Sequence, residues 1–215
     1  GTAQATGGAG TDTLVGIENL TGSAYNDTLS GNSGNNVLSA GAGVDTVSYA
    51  NAGAAVTVSL AIGTAQATGG AGSDTLIDIE SLTGSNYNDR LTGNNGNNTL
   101  DAGVGVDTMV GGDGSDTYYV DNAADVVTEG NATQATGGLD TVITSVSSYT
   151  LGANIENGQL TNAGAANLTG NSLNNTLIAG AGNNTLDGGA GTDTVSYAAA
   201  TAAVTVSLSV STAQA

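Results

Sequence analysis

Two short stretches of this sequence combine a glycine-rich turn with an aspartate. GGAGTDTLV (residues 7–15) and GGAGSDTLI (residues 69–77) carry Gly at positions one, two and four, Asp at position six and a large apolar residue at position eight. Glycines at these positions permit positive φ and a tight turn whose carbonyl oxygens can point inward at a cation. The Asp adds a hard carboxylate oxygen, the ligand type that Ca²⁺ prefers. The pattern therefore predicts calcium binding in the turns.

The same nine-residue pattern recurs along the chain. Consecutive nonapeptides tile three blocks, residues 22–48, 84–128 and 170–196, and the last unit of the second block, VDNAADVVT, is much altered. With the two isolated copies they make thirteen units. A single nonapeptide is a weak signal in so Gly-rich a chain, whereas runs of three and five in register are a strong one.

These blocks resemble the RTX family, the hemolysin-type calcium-binding repeats. The resemblance covers a little over half of the chain, and the spacers GIENLTG, DNAADVVTE and YTLGANIEN also resemble segments found between RTX blocks. It implies an all-β fold, a right-handed parallel β-roll or β-solenoid built from nonapeptide half-coils, with irregular spacer strands. It also implies several bound Ca²⁺ ions.

Positions seven to nine of each unit would form a very short strand with only position eight facing inward. One apolar residue in nine makes a thin core. The inward residues are predicted to be Leu14, Leu29, Leu38, Val47, Leu76, Leu91, Leu100, Met109, Tyr118, Val127, Leu177, Leu186 and Val195.

Two half-coils make a turn, so position-six residues that are two units apart in sequence should stack with an ion between them. We expect paired carboxylates at Asp27 with Asp45, at Asp89 with Asp107, and at Asp107 with Asp125. Asp107 is then placed to bridge two ions.

The opposite edge of each block carries mostly amides. Its position-six residues are Asn36, Asn98, Asp116 and Asn184, of which Asp116 alone is anionic. We therefore expect one-sided modules, with a calcium-bearing edge of Asp turns and an edge where GNN turns stack as neutral amide ladders or hold a weaker ion.

Two further metal ligands are predicted in the third block and its approach. Asp193 matches the acidic edge, but it faces Asn175 there, so its site has one carboxylate. Asp140 is the aspartate of GGLDTV, a turn that resembles GGAGTDTL after the loss of two residues. Each would contribute a single carboxylate to an ion.

The isolated turns at Asp12 and Asp74 are out of step with the acidic turns that follow them, because the nine-residue period is broken in between. We expect these two aspartates to bind calcium with spacer residues, near Glu18 and Glu80. The recurring IE pairs, which also include Glu156, are open to two interpretations, a structural hydrogen bond or a ligand.

A longer period divides the chain into modules. The segment 1–46 differs at only 11 positions from the segment 63–108, and a looser third copy opens at TQATGG. This predicts RTX modules at residues 1–62, 63–129 and 130–215, the third with an insert. Because STAQA at the end repeats the TAQA of the start, we expect the segment to be the interior of a large secreted repeat protein and to run into a next copy.

Composition narrows the functions. The formal net charge is −18 against a single cation, Arg90, which argues against nucleic acid and anionic membranes as partners. No apolar run is long enough for membrane insertion. Without His, Cys or Lys the common catalytic arrangements are missing, so we expect no enzyme activity, no catalytic residue and no organic cofactor.

Two function classes remain. In the first, the array folds on extracellular calcium and serves structurally as a stiff rod or filament, a surface-layer or matrix protein, or an adhesin stalk, with self-association or end-to-end continuation. In the second, it is the calcium-dependent folding and secretion module of a type I-secreted toxin, protease or lipase. Both place the chain outside the cell or on a bacterial cell surface.

Overall fold

Short strands make up the regular structure of this protein. The computed structural model describes residues 4–5, 7–131 and 137–209, which contain twenty-two strands and one turn of 3₁₀-helix, Gly7–Ala9. The STAQA segment and most of TQATGG lie outside these residues. Within them, no helix has the length and apolar character needed to cross a membrane.

The strands follow one another closely along the chain. The first eleven are β1 (Gln4–Ala5), β2 (Thr11–Asp12), β3 (Asn19–Thr21), β4 (Thr28–Leu29), β5 (Val37–Ser39), β6 (Thr46–Ser48), β7 (Thr57–Ser59), β8 (Gln66–Gly69), β9 (Gly72–Ile77), β10 (Ser81–Thr83) and β11 (Arg90–Thr92). The remainder are β12 (Thr99–Asp101), β13 (Thr108–Val110), β14 (Thr117–Val120), β15 (Val126–Thr128), β16 (Thr141–Thr144), β17 (Ser148–Thr150), β18 (Asn157–Leu160), β19 (Asn167–Thr169), β20 (Thr176–Ile178), β21 (Thr185–Asp187) and β22 (Thr194–Ser196).

Nine strands form one long parallel sheet, which we call the first face. Its order is β22-β20-β18-β16-β14-β12-β10-β6-β4. Within the blocks the paired residues stand two nonapeptides apart in sequence, as in Thr99 beside Thr117 and Thr28 beside Thr46. Each nonapeptide is therefore half a coil, as predicted.

Most of the remaining strands lie on a second face. They form the sheets β3-β5-β9-β8, β15-β13-β11-β7 and β17-β19-β21. Because the chain alternates between the two faces, successive coils stack into a β-solenoid of about 10 turns, nearly all parallel. The predicted all-β solenoid is confirmed.

The isolated turns GGAGTDTLV and GGAGSDTLI do not make half-coils. Strand β8 pairs antiparallel with β9, with Gln66 opposite Asp74, and the equivalent segment of the first module repeats this hairpin with Gln4 opposite Asp12. The glycine turn forms at residues 69–72, but the half-coil expected over residues 69–77 does not, because Asp74 lies inside strand β9 rather than in the turn. Gly69 and Gly72 have φ of 76° and 92°, conformations that serve a tight hairpin turn as well as a half-coil.

The core lies between the two faces and contains most of the position-eight side chains, as predicted, together with residues of the spacer strands such as Leu82 and Leu168. Leu14 and Val195 are exceptions with 40% and 43% exposure, since each lies near an end of the described stack and is covered from one side only. Leu29, Val127 and Leu186 are partly buried against the core. The buried position-eight residues are Leu38, Val47, Leu76, Leu91, Leu100, Met109, Tyr118 and Leu177.

The coils near the start of the third module depart from the length of two nonapeptides. Thr117 in β14 pairs with Thr141 in β16, and Thr141 in turn pairs with Asn157 in β18. The first of these steps along the chain exceeds two nonapeptides, and the second falls short of them. The extra residues lie in sequence between β15 on the second face and β16 on the first.

Candidate metal sites

An Asp, Glu or Asn stands immediately before every strand of the first face. In a parallel register these residues lie one above another, one per coil. We call this set column one, and it consists of Asp27, Asp45, Glu80, Asn98, Asp116, Asp140, Glu156, Asn175 and Asp193. Five of the predicted metal ligands therefore share one edge of the solenoid.

The second face has a corresponding column two. Asp74 occupies the same level inside β9, directly before the residue that pairs with Val37 of β5. The other acidic and amide members precede strands and are Glu18, Asn36, Asp89, Asp107, Asp125 and Asn184. Asp12, in contrast, is exposed in the first hairpin.

Backbone hydrogen bonds join neighbouring members of each column. The N–H of Asp27 donates to Asp45 Oδ1 at 2.7 Å, and the N–H of Asp89 donates to Asp107 Oδ1 at the same distance. The N–H of Asp107 donates to Asp125 Oδ1 at 3.0 Å. All three predicted carboxylate pairs are therefore brought together, with one oxygen of each acceptor held by the adjacent coil.

Most polar atoms of the Asn turns are satisfied within the protein, whereas the buried Oδ1 of Asn184 has no partner among the described residues. Asn98 Oδ1 accepts the N–H of Asn94 at 2.7 Å, and its Nδ2 donates to the main-chain oxygen of Glu80 at 3.1 Å. Asn36 and Asn175 make the same two kinds of bond. An amide thus occupies the place between coils where an Asp turn would need a cation. The expected amide ladder is not formed, because the neighbours of Asn98 in its column are Glu80 and Asp116 rather than a second amide.

The Asp turns, in contrast, leave oxygens over. Asp45, Asp107 and Asp116 are buried, and Oδ2 of each has no hydrogen-bond partner among the described residues. A buried polar atom without a partner costs about 1–3 kcal/mol, and more when it is charged. A hard cation would satisfy these oxygens, so the residues fit the calcium that the turn chemistry implies.

Acidic turns change face between the first two modules. Asp27 and Asp45 lie in column one, whereas Asp89 and Asp107 lie in column two. The reason is that β7, β8 and β9 all lie on the second face before the chain returns to the first at β10. The first block carries its acidic turns on one edge only, whereas the second has Asp116 in column one opposite the acidic turns of column two. The solenoid therefore carries acidic turns along both edges.

Burial and like charge shift the titration of these carboxyls. Burial raises the pKa of Asp107 to about 6, and the charges of Asp125 and Asp89 add to the effect. Burial likewise raises the pKa of Asp116 to about 6. The folded chain thus holds carboxylates in surroundings that disfavour their charge, and a bound cation would reverse that preference.

Asp74 differs from the ligands predicted in the blocks. It is fully buried, its Oδ1 accepts the N–H of Asn36 at 2.9 Å, and its Oδ2 accepts the hydroxyl of Tyr49 at 3.2 Å. Burial raises the pKa of Asp74. The structure therefore places it against Asn36 and Tyr49 rather than beside Glu80, with protein donors on both oxygens.

Glutamates contribute more to the columns than the sequence pattern predicted. Glu80 Oε2 accepts the N–H of Asp45 and Glu156 Oε2 accepts that of Asp140, which confirms the hydrogen-bond interpretation of these IE pairs. The alignment of ESL at Glu80 with DRL at Asp89 was a signal that both positions are equivalent. Glu129, which follows β15 in the altered repeat, was missed altogether. Its carboxylate lies within 4.8 Å of those of Asp116 and Asp140.

Comparison with known proteins agrees with this geometry. A family model described as the RTX calcium-binding nonapeptide repeat (4 copies) matches residues 15–47, 83–118 and 163–199. The matched segments contain most of the stacked acidic turns, whereas Asp125, Asp140 and both hairpins lie outside them. A comparison with curated proteins found no match. The chain therefore belongs to the family of RTX calcium-binding nonapeptide repeat proteins.

Proposed function

We propose that this chain is a secreted RTX segment that binds several Ca²⁺ ions along its two columns, folds when it meets extracellular calcium, and acts as a stiff structural rod. The observation that carries the proposal is the set of buried, unpartnered carboxylate oxygens on Asp45, Asp107 and Asp116. RTX repeats in a β-solenoid fit a calcium-binding repeat protein.

Bound calcium would stabilise a folded state whose apolar core is thin. The formal charge of −18 faces one cation, Arg90, and each half-coil buries a single large side chain. An ion present at 100 times its dissociation constant adds about 2.7 kcal/mol to the folded state. Extracellular calcium modules bind at about 10⁻⁴ to 10⁻³ M, so the chain would fold outside the cell and stay unfolded at cytosolic calcium.

The proposed ligands are the acidic members of the columns and the turn carbonyls. Asp27, Asp45, Asp89, Asp107 and Asp125 would bind in pairs. Asp116, Asp140 and Asp193 would each bind with a neighbouring coil, and Asp12 and Asp74 remain predicted ligands from the sequence. The proposal assigns no catalysis to the chain.

The rod is supported by the continuous nine-stranded parallel sheet and by the near identity of the first two modules. Stacked coils that share one core cannot bend independently, so calcium in both columns would stiffen the array. RTX proteins are generally secreted, which agrees with an extracellular role as stalk, matrix protein or surface layer. Self-association through end-to-end stacking belongs to the same proposal.

Circular dichroism of the whole chain in chelator and in millimolar calcium tests the folding step, with equimolar Mg²⁺ as the matched control. We expect the β signal in calcium alone, because Mg²⁺ demands a tighter octahedral site. An unchanged β signal in chelator would contradict the proposal. Electron microscopy in calcium tests the rod: elongated particles or fibres support it, and compact particles favour a folding and secretion module instead.

A further inference from the structure

Three carboxylates meet at a corner of the solenoid that the nonapeptide pattern does not describe. Asp116 and Asp140 are successive members of column one, while Glu129 enters from the extra residues after β15. One ligand oxygen of each lies within 4.8 Å of the other two. Asp116 and Asp140 are each 1% exposed, and Glu129 is 6% exposed.

The cluster has fixed oxygens and free ones. Asn98 N–H donates to Asp116 Oδ1 at 2.7 Å, Asp116 N–H donates to Asp140 Oδ1 at 2.8 Å, and the Tyr118 hydroxyl donates to Glu129 Oε1. Asp116 Oδ2 and Glu129 Oε2 are buried and have no partner among the described residues. The carboxylates are thus held in place by donors while two oxygens remain to be satisfied.

Charge and distance select the class of ligand. Three buried carboxylates repel one another, and the sequence offers only Arg90 as a cation, which is exposed on β11. Three atoms separated by at most 4.8 Å can share a neighbour about 2.8 Å from each, close to calcium–oxygen distances of about 2.3–2.6 Å. A hard divalent cation fits that position, whereas a neutral ligand would leave the repulsion in place.

We propose that Asp116, Glu129 and Asp140 bind one Ca²⁺ ion in a three-carboxylate site, with Glu129 as a ligand that lies outside the nonapeptides. The proposal rests on the calcium-binding function above, but its own site can fail while the Asp pairs of the columns still bind. Three carboxylates exceed the two of each Asp pair, so this site is the tightest of the chain.

An ion in this site would link the residues that follow β15 to the neighbouring coils. Glu129 follows the last strand of the altered repeat, and its main-chain oxygen accepts Asn154 Nδ2 at 3.1 Å from the next coil. Asp140 leads directly into β16. One ion would therefore tie the end of the second module to the beginning of the third.

The test is calcium titration calorimetry on the whole chain and on Glu129→Gln, with Asp78→Asn as the matched control on an exposed carboxylate outside both columns. We expect Glu129→Gln to remove the tightest class of ion or to weaken it by about 100-fold, and Asp78→Asn to keep that class as in the parent. Terbium binding gives a second readout, because Tyr118 beside the site can sensitise its emission, and Glu129→Gln should lower that emission.

A second variant covers the case in which Glu129→Gln does not fold. Tyr118→Phe keeps the buried ring and all three carboxylates but removes the donor that positions Glu129. It should keep the number of ions and weaken the tightest by about 10-fold. Unchanged tight binding in both folded variants would overturn the site while leaving the Asp pairs intact, and a parent chain that binds no calcium would overturn both proposals.

Discussion

Asp107→Asn separates the contribution of calcium from that of packing. Asp107 lies in the middle of column two, where its Oδ1 accepts the N–H of Asp89 and its own N–H donates to Asp125. Asparagine keeps the Oδ1 acceptor and the size of the side chain, so the hydrogen bond and the fit survive. What disappears is the charge on the buried, unpartnered Oδ2.

The expected effect depends on calcium. If Asp107 bridges two ions that are each at 100 times their dissociation constant, the free energy of unfolding falls by about 3 to 5 kcal/mol in calcium. At low calcium the substitution should be neutral or stabilising, because the charges of Asp125 and Asp89 act against the Asp107 carboxylate.

Urea unfolding at a series of calcium concentrations measures this, since the slope of the free energy against ln[Ca²⁺] counts the ions released on unfolding. Asp107→Asn should reduce the slope by one or two ions. Asp78→Asn is the control, because Asp78 is exposed and its positive φ of 54° is one that Asn tolerates. An unaltered slope, or the same loss of stability at every calcium concentration, would refute the reasoning.

The columns and the core carry three further predictions. Asn98→Asp removes the hydrogen bond from Asn98 Nδ2 to the main-chain oxygen of Glu80 and should lower the free energy of unfolding by about 1–3 kcal/mol at low calcium. In calcium, calorimetry should show one additional bound ion. Burial raises the pKa of Asp107 to about 6, so its contribution to the stability of the calcium-free folded state is fully present below about pH 4 and is lost as pH rises through 6. Circular dichroism in EDTA should therefore show more β structure at pH 5 than at pH 7. In calcium the trend should reverse, because protons compete with the ion. Leu100→Ala should lower the free energy of unfolding by about 2–5 kcal/mol in calcium, and exposed Val104→Ala by less than about 0.5 kcal/mol, both by urea titration.

The repeating half-coil was accessible from the sequence because it is local. Positions six and eight fix which residue ends the turn and which faces inward, and Asp89 and Leu91 obey that rule. Identical units must stack in register if every apolar residue is to stay inside. The pairing of strands two nonapeptides apart and the carboxylate pairs follow from these two facts.

The hairpins were not accessible, because their residues satisfy the same local rule. GGAGSDTLI has every residue type of a half-coil, and only the pairing of Gln66 with Asp74 distinguishes it. That pairing depends on how β8 packs between β7 and β9, a contact that the residue types of the turn do not encode. The change of face between the modules follows from the same arrangement, so the sequence pattern could not predict it.

The cluster at Glu129 was hidden for a related reason. Its three carboxylates come from two coils and from an irregular stretch that separates Asp116 from Asp140. A nine-residue period contains no information about where such a stretch returns. Glu80 was more accessible, because it stands two positions before an inward Leu82, just as Asp89 precedes Leu91.

The hydrogen-bonded columns also bear on how calcium would bind. Asp45 and Asp107 each offer one oxygen to the N–H of the preceding coil and keep Oδ2 for an ion, so each of these carboxylates is oriented only when both coils are stacked. The first ion must therefore bind while it orders two coils, whereas the next finds one of its coils already in place. Binding that orders a shared element lowers the cost of the following event. Calcium binding along a block of Asp turns should accordingly be cooperative, and Asp107, which is shared by two neighbours, is where that coupling is strongest.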